Sequence, residues 1–308
     1  MLALGRLLRL SLAPSAAADV AAGIVLGRGA WPAGPAPFLL MAGSLCVYHG
    51  GMALNDWADR EADARGARAR PIPRGEVGAN TALGLAVFLL VLGPLMALRA
   101  DGRAGAALLA VALLAALYDL AGRGPWRRPI LLGACRAGNL GAGIALGAVG
   151  YETVGLEDGV LSGGARWLVL APLLYGGYVL CVSRIARLED GSPRALAAGK
   201  PDLWLGLAAL ALALHGLVPL VPGGTAARLC AGAIACAGAI GLLGARPAGG
   251  AWSPAVAGRA TGMGLRRLLV CTAALSVQVG TTAGFVAAAG ILCGYPVSHA
   301  LRRVFPPT

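Results

Sequence analysis

Residues 54–75 read LNDWADREADARGARARPIPRG, four acids and five arginines close together in a 308-residue chain that is 57% hydrophobic. Apolar runs long enough to cross a bilayer flank the stretch, at about 36–56 and 79–98. It is therefore a connection between two spans, and the same alternation of apolar run and polar connection continues along the chain. Charged residues make up 13% of the sequence, half of the roughly 25% typical of a soluble domain. Lipid has to cover what polar side chains do not, so the chain reads as a polytopic membrane protein.

Nine spans can be drawn, at 11–30, 36–56, 79–98, 103–120, 129–150, 166–183, 201–221, 225–245 and 268–294. The expected fold is an all-α membrane protein, a bundle of nine transmembrane helices forming one domain over residues 1–308. The N-terminal run, preceded by Arg6 and Arg9, reads as a retained first span and not a cleaved signal peptide. Connections after the even-numbered spans are rich in arginine, whereas the connection 151–160, YETVGLEDGV, is acidic. Of the 26 Lys and Arg, 18 fall on the face that carries the 54–75 stretch and 7 on the other, with Arg136 inside a span. The positive-inside rule then places the N-terminus and the motif face in the cytoplasm and the C-terminus outside. The stretch 246–267 is a linker or a lid.

The net charge of +12 does not indicate a nucleic-acid partner, because the arginines are scattered over the connections without a basic stripe or interleaved aromatics. The seven cysteines lie mostly within spans and have no histidine at metal-ligand spacing, so they read as small packing residues.

Asp56, Asp59 and Asp63 stand three and then four residues apart. On a continuous helix they fall within about 60° of one face. Three carboxylates aimed at one place repel unless a cation lies between them, and Mg²⁺ with its preference for oxygen ligands is the natural candidate. Asn55 adds an amide at the membrane end, and Glu61 points to the opposite face. The alternative is a salt-bridged surface helix with Asp56 and Arg60 paired, but the cluster begins at the end of a span, where carboxylates are expensive.

The run Asn55-Asp56-x-x-Asp59-x-x-x-Asp63, followed by Arg70-Pro71-Ile72-Pro73-Arg74-Gly75, resembles two adjacent signatures of the UbiA superfamily of intramembrane prenyltransferases. The resemblance implies a helical bundle around a central cavity facing the cytoplasm. It further implies that the aspartates hold a prenyl diphosphate through Mg²⁺, that an allylic cation forms as diphosphate leaves, and that a small acceptor captures it. Arg70 and Arg74 are candidates for the diphosphate, or else cytoplasmic anchors. Members of the superfamily carry a second motif, D-x-x-x-D, after the sixth helix. Here that region contains Arg187, Glu189 and Asp190 and no pair of acids four apart. Asp190 or Glu189 is left to bind a second metal, or Arg187 to meet a phosphate.

Tyr118-Asp119, the run Gly133-Ala-Cys135-Arg136-Ala-Gly-Asn139 and the later Ser183-Arg-x-x-Arg187-Leu-Glu189 are similar to the EboC-like branch of that superfamily. Arg136 and Asn139 share a helix face and point into the cavity, toward substrate or an aspartate, with Asp119 one possible partner. Tyr118 and Tyr178 line the channel for the prenyl tail or serve as interface aromatics. A membrane protein that keeps the bundle but binds or exports a lipid-linked molecule without catalysis is the rival reading. A CDP-alcohol phosphotransferase is disfavoured, because Asp59 is followed by Arg60 where that signature needs glycine.

Overall fold

The computed structural model describes residues 2–65, 70–121, 124–148, 166–189, 191, 199–219 and 223–305. Among these residues all regular secondary structure is helical, without a strand. A short helix α1 (Leu2–Leu7) and a 3₁₀ turn (Leu10–Leu12) lead into α2 (Ala13–Arg28) and α3 (Ala36–Ala58). A short α4 (Arg60–Arg65) precedes α5 (Ala79–Ala100), α6 (Gly102–Ala121), α7 (Arg127–Gly147) and α8 (Arg166–Ala186). The chain closes with α9 (Pro201–Leu217), α10 (Thr225–Leu243), α11 (Pro254–Gln278) and α12 (Thr282–Val304).

Eight of these helices are long and apolar enough to cross a membrane, and α9 is apolar but shorter. Exposed Phe88, Leu113, Leu229, Ile240 and Val286 form the outer surface, which suits lipid and not water. The protein is an integral membrane protein. Inside, small residues bring the backbones together. A Cβ on Gly143 of α7 would meet the carbonyl oxygen of Val20 on α2, and one on Gly93 of α5 would meet that of Gly43 on α3.

The expected last span, 268–294, straddles a break. Gly280 adopts φ +73° and the Thr281 hydroxyl caps the next helix by accepting from Gly284 N at 3.2 Å. α11 therefore runs down the bundle and α12 returns. The Ser298 hydroxyl donates to Ser11 O at 2.6 Å, and Phe305 packs over Gly5. This corrects the expected placement of the C-terminal end: it lies on the same face as the N-terminal segment, and Arg302 and Arg303 join the arginine-rich side.

Candidate active site

The motif helix does not run straight through its aspartates. α3 ends at Ala58, Asp59 takes the capping position with φ −91° and ψ 1°, and α4 begins at Arg60. The three acids consequently diverge from the single face that an unbroken helix would give. Asp56 is 1% exposed; its Oδ1 accepts from Arg70 Nη1 at 2.7 Å and from Arg9 Nη2 at 3.2 Å. Asp63 lies 3.8 Å from the same Arg70. Asp59 turns aside to Arg128 Nη2 at 3.1 Å. Arg60 bonds the Trp57 carbonyl and Glu61, so the i,i+4 pair with Asp56 does not form.

Local chain geometry fixes these arginines. Gly75 at φ +70° closes a turn in which Gly75 N donates to Ile72 O at 3.0 Å and Glu76 N to Pro71 O at 3.0 Å. Glycine takes that conformation without a Cβ clash, and the turn holds Arg70 buried beneath the motif helix. Arg9 itself sits in the left-handed region, φ 49° and ψ 49°, which costs a non-glycine residue about 1 kcal/mol. Its ion pair with Asp56 offsets that strain.

Next to this cluster is a cavity of about 190 Å³ between α2, α3, α6, α7, α8 and α11. Its polar lining comprises Arg9, Ser44, Asn55, Asp119, Arg136 and Asn139; Tyr48 and Tyr118 contribute ring faces, and Leu132, Val179 and Leu268 apolar walls. Asn55 Nδ2 donates to Asp119 Oδ1 at 2.9 Å. Arg128 lies 5.5 Å from the Tyr118 ring centroid and Arg136 5.5 Å from that of Tyr48.

Arg136 is held by a fully buried acid, Asp19 of α2. Its Nη1 reaches Asp19 Oδ2 at 2.9 Å, Asn139 Nδ2 donates to the same oxygen at 3.1 Å, and the Tyr175 hydroxyl donates to Oδ1. Arg136 Nη2 also donates to the Ser15 hydroxyl at 3.1 Å, and the Ser44 hydroxyl to Asn139 Oδ1 at 2.8 Å. A charge inside a bundle is tolerated when every polar atom around it is satisfied, and this network joins α2, α3, α7 and α8.

The donor set suits Mg²⁺ in kind, since hard carboxylate oxygens predominate. Asp56 Oδ2 is buried without a hydrogen-bond partner among the described residues, an acceptor left open beside Asp63. No three carboxylate, histidine or cysteine side chains converge on one point among the described residues. Arg9, Arg70 and Arg128 neutralise the acids instead. Asp56 and Asp63, which share Arg70, and Asp59, which pairs with Arg128, are the carboxylates that could hold such an ion.

Residues 16–243 match the description of the UbiA prenyltransferase family. The chain belongs to that family. A digeranylgeranylglyceryl phosphate synthase from Ignicoccus hospitalis is 46% identical over 65 residues, 21% of this chain and 22% of that relative. Two solved structures share the fold: a UbiA homolog from Archaeoglobus fulgidus bound to DMAPP and Mg²⁺, at 14% identity and TM-score 0.62, covering 93% of this chain and 99% of that one; and the apo UbiA homolog from Aeropyrum pernix K1, at 19% and 0.61, covering 85% and 96%. The UbiA motif carried by the 54–75 stretch is thus embedded in a UbiA bundle.

Of the residues expected at the site, Asn55, Tyr118, Asp119, Arg136 and Asn139 surround the cavity, and Asp56, Asp59, Asp63 and Arg70 form the adjoining cluster. Arg74 is exposed and pairs with Glu76 at 3.5 Å, away from the aspartates. Tyr178 is not in the cavity lining: it is buried and its hydroxyl donates to Gly264 O at 2.6 Å. Arg187 donates to Gly124 O at 2.6 Å, and Glu189 stands near Gly258 of α11. Asp190 lies outside the described residues. The partner of Arg136 is Asp19, not Asp119. The structure adds Arg9, Asp19 and Arg128 to the residues around the cavity and its cluster; a lone acid in an Ala-rich span and two arginines flanking apolar runs carry no motif of their own.

Proposed function

We propose that the chain is a prenyltransferase that moves the prenyl group of a (poly)prenyl diphosphate to a small acceptor, aromatic and cyclic molecules being the candidates. The arrangement that carries this reading is the set of three carboxylates interleaved with Arg9, Arg70 and Arg128 at the edge of a buried cavity. The Archaeoglobus relative bound to DMAPP and Mg²⁺ supports the same donor class and metal here. Asp56, Asp59 and Asp63 would hold Mg²⁺, which supplies the charge that a departing diphosphate requires.

Each of the three arginines is committed to a carboxylate in this structure. With a diphosphate and its cation bound, the three guanidiniums would turn to phosphate oxygens, for which their fork geometry is suited, and Asp56, Asp59 and Asp63 would be free to hold the metal. Tyr48 and Tyr118 present ring faces to positive charge developing in the cavity, and the apolar walls keep water from it. Asn55 orients Asp119 at the cavity rim, where a carboxylate can accept the proton an acceptor loses.

We place the motif face in the cytoplasm on the arginine bias. The short runs around Tyr118-Asp119 and Cys135–Asn139 support the EboC-like branch as the subgroup. Incubation of the purified protein with labelled prenyl diphosphates and Mg²⁺ tests the proposal through diphosphate release. Wild type should turn over and Asp59→Asn should fall by at least about 100-fold, the scale of losing an electrostatic group at a developing charge. If no chain length is turned over yet polyprenyl lipids still bind, the non-catalytic reading replaces it.

A further inference from the structure

At the motif end of the bundle a cavity of about 730 Å³ opens between α11 and α12. Arg266, His299, Arg302 and Arg303 line it together with Tyr295 and Ser298, and no acid among the described residues does. Its surroundings contrast with those of the catalytic cluster. Arg9, Arg70, Arg128 and Arg136 each face an aspartate, whereas among the described residues no carboxylate pairs with Arg266, Arg302 or Arg303. Arg303 instead approaches His299 at 3.4 Å, and Arg302 Nε is buried without a hydrogen-bond partner among the described residues. Cations gathered in a concavity repel one another unless an anion joins them.

Ser298 and Tyr295 also line a void of only about 10 Å³ beside Pro14. Pro14 and Val297 belong to an outward-facing groove of about 570 Å³ between α2 and α12, and Val297 is next in the chain to Pro296 and Ser298 of the basic cavity. Ala17, Ala18, Ala21, Ala287 and Ile291 make this groove apolar, and along α12 it runs from Ala283 to Val297. At 1.5 Å per residue that is about 21 Å, more than half of the roughly 30 Å hydrocarbon core. A basic pocket at the membrane surface, beside an apolar furrow on the same helix, matches an amphiphile with an anionic head.

We propose that Arg266, His299, Arg302 and Arg303 bind the phosphate headgroup of an anionic membrane phospholipid, whose chain lies in the α2–α12 groove. Leu265 of α11 lines both the catalytic cavity and the small void beside Arg266, so the two sites are neighbours. The bound lipid would clamp the end of α12 to α11 and, through the Ser298–Ser11 hydrogen bond, steady the turn that carries Arg9. The proposal does not depend on turnover.

Thermal unfolding of the delipidated full-length protein in a neutral detergent tests it, with phosphatidylglycerol, phosphatidylcholine and inorganic phosphate added separately. Phosphatidylglycerol should raise Tm saturably and phosphatidylcholine should not. Arg302→Gln should weaken the apparent affinity at least about tenfold, the effect of losing one charged hydrogen-bonding partner. Exposed Arg303→Gln should weaken it too, while Arg228→Gln at the opposite end should not. Should Arg302→Gln fail to fold, Arg303→Gln and the amount of co-purified phospholipid decide. An unchanged phosphatidylglycerol response in the folded variants, or an equal response to phosphatidylcholine, overturns the proposal. Equal stabilisation by millimolar inorganic phosphate overturns the lipid as occupant.

Discussion

Arg9 and Asp19 carry much of the site, although neither belongs to a motif. Arg9 accepts a left-handed backbone to reach Asp56, and Asp19 sits fully buried among Arg136, Asn139 and Tyr175. Removing one member of a buried ion pair leaves the other charge uncompensated, typically at about 3–5 kcal/mol. Asp19→Asn and Arg136→Gln should each destabilise the protein by that order, and the double variant by clearly less than their sum. Unfolding measurements over the double-mutant cycle read the coupling, and strict additivity would show that the pair is not the keystone of this network. The clustering of Asp56, Asp59, Asp63 and Arg70 could be read from sequence because spacing and charge announce it. Asp19 could not, since a single carboxylate in LAPSAAADVAAG has no partner until α7 folds against α2.

The spans followed from runs of apolar residues, and most helix limits fall within a few residues of the expected ones. Two elements did not. The motif helix breaks at Asp59, so Asp59 faces α7 and not Asp56. The last expected span divides at Gly280, because apolarity runs on through a turn whose stop and start signals, glycine and then threonine, are local. Arg259, Arg266 and Arg267 also lower the apolarity of the first half of α11, which hid it from a hydropathy reading. Helix contacts offer their own test. Gly143 faces the α2 backbone while Gly141, two residues away, faces open space. Gly143→Ala should lower Tm, whereas Gly141→Ala should hold it or raise stability by up to about 1 kcal/mol through helix propensity. Equal effects at the two positions would contradict the α2–α7 packing.

At the scale of the molecule, the helices of the described residues bring the N-terminal segment, the motif loop and the end of α12 to one face. Single cysteines placed near residue 5 and residue 303, labelled from either side of sealed vesicles, should therefore react from the same side. Labelling from opposite sides would restore the expected nine-span path. That shared face is where the bundle joins a charged mouth to an apolar interior, as a ligand with a diphosphate head and a prenyl tail requires. On the proposed reading, carboxylates and metal act together there. Calorimetric titration of the purified protein with geranyl diphosphate probes this directly, with and without Mg²⁺, for wild type and Asp56→Asn. Tight binding should require both the metal and Asp56, weakening at least about tenfold when either is removed; unchanged binding in the presence of chelator, or in Asp56→Asn, would contradict it.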